Sequence, residues 1–179
     1  MKKVLGITLL FIAMAACSPK ARLCDIKSVI LDESFFPGDV SSDPLLMPIP
    51  DSPPDSAIRV FYIESNSSID VVQQYVMNFR LAYLASNFFN EREKQNFNSD
   101  EKDGPWKMPN GVQTLDQNAD QSHVGCGLLH GSMICRWIAR YNQYYIFLGS
   151  DISETGMTEE EFLETITEID SRMMQCLDD

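Results

Sequence analysis

Cys126 and Cys135 flank Leu128-Leu129-His130-Gly131-Ser132-Met133-Ile134, two short apolar arms around a His-Gly turn. With His130 and Gly131 as a two-residue loop, Leu129 faces Ser132 and, counting outward, Cys126 faces Cys135. That is a non-hydrogen-bonded site, where opposed side chains stand closest, and the distance lies within disulfide reach. Cys24 is then left with Cys176, joining the start of the chain to its last helix. Four cysteines allow three connectivities, and the hairpin favours this one. A loop that long contributes roughly 4–5 kcal/mol in the chain-entropy model. Zinc is a competing reading of Cys126, His130 and Cys135 with His123 nearby, because such sites use close Cys/His pairs. The chain has no Cys-x-x-Cys spacing and His130 sits in the turn, which favours disulfides over zinc and over redox thiols.

Disulfides need an oxidising compartment, and the N-terminus supplies a route to one. Lys2 and Lys3 precede an apolar run, Val4 to Ala13, and Met14-Ala15-Ala16 supplies small residues before Cys17. That order is the layout of a secretory signal peptide. The run is about ten residues, short of the roughly 20 that span a bilayer, and no other segment comes near that length. The cysteine at the cut site makes the segment resemble a bacterial lipoprotein signal, with Met14 where such signals usually carry Leu. The resemblance implies removal of residues 1–16, a lipid on Cys17, and a place in the cell envelope outside the cytoplasm. Ser18 in place of Asp leans toward the outer membrane where the source has two. Simple secretion or a short membrane anchor is the alternative. Stable anchoring takes several acyl chains. Residues 17–25 would form the lipidated terminus and tether, of which 18–23 reach at most about 20 Å, so the domain stands close to the membrane.

The net charge of the chain is −12, with 26 acidic and 14 basic residues. Loss of Lys2 and Lys3 with the signal moves it to about −14. Nucleic acid is excluded as a partner, since phosphate binding needs a basic footprint. The balance suits a solvated acidic surface. Hydrophobic residues at 44% and aromatics at 10% are enough to build a core, which argues against disorder. About 155 residues form one domain, 26–179.

Along that domain, Ile26 to Leu31 reads as a first strand. Residues 37–56 hold six of the nine prolines and read as an extended loop with polyproline character. Ala57 to Glu64 is rich in β-branched and aromatic residues and reads as a strand. Ser67 with Asp70 resembles a helix cap, and Ile69, Val72, Val76, Phe79 and Tyr83 recur at helical spacing, predicting a helix over about 68–92. Residues 96–121 are polar and aperiodic, a long loop of the kind that is functional or mobile. Trp106, between Gly104-Pro105 and Pro109-Asn110-Gly111, is its candidate ligand contact, against the alternative of a ring covering the loop's own cluster. Residues 123–129, 133–141 and 144–149 read as an antiparallel meander, with Asn142-Gln143 as a tight turn. Thr158 to Glu161 is a capping box opening a helix whose Phe162, Ile166, Ile169, Met173 and Cys176 share one face. The expected fold class is α+β: an antiparallel sheet of four or five strands, disulfide-stapled, with two main helices packed on one face.

No motif selects a catalytic or metal residue, and no cofactor is implied. Asp151, Ser153, Thr155 and Gly156 begin like an EF-hand loop, but the twelfth position is Phe162 rather than Glu. Asp116, Asn118 and Asp120 have a calcium-like spacing without the following glycine or bidentate glutamate. No nucleophile elbow, His-Glu-x-x-His or phosphate-cradling loop is present. Arg136 and Arg140 fall on one strand face and would form a small cationic spot, or else an ordinary solvated one.

The strand-rich region Cys135-Arg136-Trp137 to Tyr145-Ile146-Phe147, with the closing helix, resembles small exported sensor domains such as those outside some bacterial serine/threonine kinases. The resemblance rests on pattern over the last 60 or so residues and implies an antiparallel sheet with helices and disulfides. No functional residue is carried over. The expected function is a non-catalytic, lipid-anchored envelope domain that binds a small ligand or a partner protein. The alternatives are an assembly lipoprotein docking an envelope complex, and a hydrolase with a carboxylate site.

Overall fold

Two tight turns organise the C-terminal half of the sheet. His130 and Gly131 both take positive φ, 53° and 88°, as a two-residue hairpin loop requires. Strand Gln121–Leu129 therefore pairs with Ser132–Tyr141 so that Cys126 faces Cys135. Asn142, at φ 53°, turns the chain into Tyr144–Asp151, which completes the meander. The computed structural model describes residues 24–36, 38–48, 50, 52–64, 69–98, 104–112 and 118–178. The signal segment 1–16, Cys17 and the tether to residue 23 lie outside the described residues, as does Asp116.

The N-terminal half departs from the sequence expectation in three places. Residues Ile69–Asn78 are a strand and not the first half of a helix. Val72 and Val76 are four apart, a spacing that helix and strand share. In the strand Asp70, Val72, Gln74, Val76 and Asn78 alternate onto one face, and all five are buried. Three of them are polar, so the two-residue hydrophobic alternation that identifies a strand is erased. The helix starts only at Ala82 and runs to Asn96, after Arg80 breaks the chain direction at φ 61°.

Residues Ile26–Leu31 are not a strand. Ile26–Val29 is a single helical turn, α1, and Asp25 accepts a hydrogen bond from the Lys27 N–H at its start. Gln74 supplies what a sheet neighbour would have supplied. Its Oε1 accepts from Leu31 N–H and its Nε2 donates to the Val29 carbonyl, both at 2.9 Å. A buried backbone without ladder partners is satisfied by one buried side chain. Cys24, the first described residue, is itself buried, and its N–H donates to the Tyr144 hydroxyl at 3.0 Å.

The proline-rich segment is also not wholly loop. Asp39–Ser42 is β1, an edge strand antiparallel to β2 (Asp55–Glu64). With β3 (Ile69–Asn78), β4 (Gln121–Leu129), β5 (Ser132–Tyr141) and β6 (Tyr144–Asp151), the sheet has six strands rather than four or five, in the order β1-β2-β3-β6-β5-β4. Every pairing is antiparallel. The class is α+β.

The helices lie on both faces, correcting the one-face expectation. Neighbouring strand residues point to opposite faces. Trp137, Ile146 and Leu148 join Ile26 and Val29 of α1 and Ile166, Ile169 and Met173 of α3 (Glu159–Asp178) in the main core. Their sequence neighbours Ile138 and Tyr145 instead join Met77 and Phe89 of α2 (Ala82–Asn96) in a second cluster. The capping box forms at α3: Glu161 N–H donates to Thr158 Oγ1, and Thr158 N–H to Glu161 Oε2 at 2.8 Å. Cys24–Cys176 and Cys126–Cys135 are bonded, with Cα separations of 5.0 and 4.0 Å. No described helix is long and apolar enough to cross a membrane.

Candidate binding groove on the α2 face

Helix α2 lies over one end of the sheet, against β5 and β6. It buries Ala85 and Phe89 and leaves the rest of that face to side chains of β3 and β6. The open part holds two adjoining hollows. One, of about 270 Å³, is lined by Tyr75 and Met77 of β3, Phe88, Arg92 and Asn96 of α2, and Tyr145 of β6. The other, of about 280 Å³, lies beside it over Arg136, Gly149 and Asp151. Gln73 and Phe147 line both, so the two make one groove.

Its apolar wall is aromatic. Tyr75 and Phe147 meet edge to face with centroids 5.4 Å apart, and Phe88 meets Tyr145 the same way at 4.9 Å. Such contacts rigidify a surface beyond simple area burial. Phe147 also fills the place where a side chain on Gly149 would stand, 2.8 Å from the built Cβ. A residue larger than glycine there would displace the ring.

The polar end consists of donors. The Arg92 guanidinium stacks on Phe88, 4.8 Å from its centroid, and donates to Gln95 Oε1 at 3.0 Å. Burial holds the Tyr75 and Tyr145 phenols above their ordinary range, partly offset by the charge of Arg92. Both therefore keep their protons at neutral pH and present hydroxyl donors. Arg136 is half-buried, and desolvation lowers its pKa from the ordinary guanidinium value. Its Nη1 donates to the Asn96 carbonyl at 2.8 Å, and its guanidinium lies 4.9 Å from the Trp106 centroid. Asp151, the one carboxylate among the described lining residues, accepts from Val71 N–H at 3.1 Å.

Trp106 sits beside this groove rather than in its lining. It packs edge to face on Phe97 at 5.5 Å, and its Nε1 donates to the Asn98 carbonyl at 3.3 Å. Gly125 and Gly127 of β4 let the two rings lie on the sheet: built Cβ atoms would stand 3.2 Å from Phe97 and Trp106 respectively. Alternating glycines in a strand are the sequence signal for such close approach. His123 stacks on Phe97 at 4.0 Å and pairs with Glu93 at 2.8 Å. His130 is at the exposed hairpin tip, apart from His123. Arg136 and Arg140 do share the α2 face, but Arg140 is held by Asp120 at 3.2 Å and Gln121 at 2.6 Å.

The calcium-like segments have other work. Ser153 Oγ donates to Asp70 Oδ2 and accepts from Gly156 N–H at 2.9 Å, and Asp70 Oδ2 also accepts from Met157 N–H at 3.0 Å. Asn118 donates through Nδ2 to buried Asp170 at 2.7 Å, and Asp120 accepts from Asn142 N–H. Among the described residues, no group of three or more His, Cys, Asp or Glu is placed to hold a metal ion.

Sequence reasoning missed the groove because its floor comes from β3, read as helix. Once β3 is a strand, the set Gln73, Tyr75, Met77 is legible as the face opposite Val72, Gln74 and Val76.

No protein-family model matches this chain, and no curated protein matches it. Among solved structures it is similar to the extracellular domain of PknH from Mycobacterium tuberculosis, at 12% identity and a TM-score of 0.53. The alignment covers 83% of this chain and 94% of that one. The likeness thus extends well beyond the last 60 or so residues in which the sequence pattern resembles kinase-linked sensor domains, and it is a likeness of fold.

Proposed function

We propose that this protein is a non-catalytic, lipid-anchored domain of the cell envelope that binds a small ligand in the groove on the α2 face. The observation that carries the reading is the open groove beside α2, on the part of that face that no described helix covers. There an aromatic wall, made by Tyr75, Tyr145 and Phe147 of the sheet with Phe88 of α2, meets convergent donors along the edge of α2. Ligand sites are concave, mostly apolar and set with a few polar groups, over roughly 300–1,000 Å³, and the two hollows together fall in that range. Two disulfides fit a location outside the cytoplasm, and the solved structure of similar fold is an extracellular domain. Lipid on Cys17 and the outer-membrane placement rest on the signal segment.

Native mass spectrometry of the full chain isolated from its membranes tests both parts. A discrete small-molecule mass should accompany the wild type and be lost in Gln73→Trp, which fills the junction of the hollows without entering the core. A wild type that carries no such mass, or a Gln73→Trp variant that keeps it, overturns the groove reading. Diacylglycerol should appear on Cys17; an unmodified chain beginning elsewhere overturns the anchor.

A further inference from the structure

The chain carries 26 acidic residues against 14 basic ones, yet among the described residues no carboxylate lines the first hollow of the groove. Arg59, Arg140 and Arg172 each pair with a carboxylate at 3.4 Å or less. Arg92 and Arg136 form no such pair among the described residues, and both line the groove. Tyr145, buried along its ring, has no hydrogen-bond partner for its hydroxyl among the described residues. Among the described residues the Tyr75 hydroxyl reaches only Gln73 Oε1, at the limiting distance of 3.5 Å. Arg92, Tyr75 and Tyr145 all line this first hollow, and Phe88 bridges Arg92 and Tyr145, with the Arg92 guanidinium over its ring and Tyr145 against its edge.

Resting on the groove reading, we infer that the occupant is a free small molecule with one oxyanion group, carboxylate or phosphate, joined to a flat apolar body. The oxyanion meets the Arg92 guanidinium with the hydroxyls of Tyr75 and Tyr145; the apolar body lies along Phe147 and Met77. The guanidinium donates in a planar fork that matches an oxyanion, and phenols that stay protonated add donors without repulsion. The net negative charge of the chain repels anions at long range, so recognition is local to this end of the groove. The residues that would hold this occupant all line the first hollow, whose volume of about 270 Å³ suits a ring system.

Isothermal titration calorimetry on the full chain in phosphatidylcholine nanodiscs, with 2-naphthoate, 2-naphthyl phosphate and neutral 2-naphthamide as probes, tests the inference. At least one of the two anions should bind roughly tenfold or more tighter than the amide, the scale of a hydrogen bond to a charged group. Arg92→Gln should remove that preference, and Lys94→Gln on the same helix should keep it. Tyr145→Phe, which removes only a hydroxyl, should weaken the anion alone and covers the case in which Arg92→Gln perturbs the helix. Equal binding of amide and anions overturns the charge inference while leaving a working groove. Absence of binding by all three probes overturns it as well, and the retained-mass experiment then decides the groove separately. Displacement of the bound anion by phosphatidylglycerol nanodiscs overturns the assignment to a free ligand.

Discussion

The Asp70 carboxylate occupies the space that a side chain on Gly156 would need, with Oδ2 1.9 Å from a built Cβ. Asp70 is 5% exposed and held there by Ser153 Oγ and Met157 N–H. It cannot swing aside without leaving those donors unpaired. Gly156→Ala should therefore destabilise the fold by about 2–4 kcal/mol, combining overpacking with a broken buried network. Urea denaturation checks this, and a loss below 0.5 kcal/mol would show that the carboxylate yields freely.

Gln74 fastens α1 to β3 by bonding both Val29 and Leu31 main-chain groups, and it is fully buried. Gln74→Leu keeps the volume and strands one N–H and one C=O. The expected cost is about 2–4 kcal/mol, since each orphaned buried group costs about 1–3 kcal/mol. The urea midpoint should fall with an unchanged slope if α1 stays docked. A steeper or shallower slope would mean the α1 segment has detached.

Features with local cause were legible in the sequence. The Cys126–Cys135 register follows from two turn residues, and the α3 start follows from Thr158 and Glu161 three positions apart. What was not legible depended on distant partners. Gln74 reads as a polar interruption until Leu31, 43 residues away, is placed over it; Asp70 reads as a helix cap until Met157, 87 residues away, donates to it. The groove has the same character, being assembled from β3, α2 and β6. Gly125 and Gly127 are a local signal that the reading of residues 123–129 did not use: two glycines alternating in a strand leave room for the rings of Phe97 and Trp106.

The two disulfides should differ in worth. Cys24–Cys176 closes a separation of 152 residues and Cys126–Cys135 one of 9. The chain-entropy relation gives about 5 kcal/mol for the first and about 2.6 kcal/mol for the second. Paired Cys→Ser replacements should therefore lower stability more at 24/176 than at 126/135. Non-reducing peptide mapping should also recover the two linked pairs, and any other partner for Cys126 contradicts the hairpin register.

Alkaline pH should unfold the protein through its buried phenols. Burial raises the pKa of Tyr141 and Tyr145 above the ordinary phenol value, and for Tyr141 the bond to Asp170 adds to it. An unfolded phenol loses its proton near pH 10, whereas the folded one keeps it, so above about pH 10 the unfolded state binds fewer protons than the native state. Stability is therefore whole below pH 10 and declines as pH rises through it. Tyr145→Phe removes one of these protons while breaking no hydrogen bond among the described residues. It should leave stability at pH 7 within about 1 kcal/mol, as a buried change that conserves volume, and reduce the slope between pH 10 and 12. Guanidinium melts at pH 7, 10 and 11.5 measure both quantities. An unchanged alkaline slope in Tyr145→Phe would mean that this phenol ionises as readily in the folded protein as in the unfolded one.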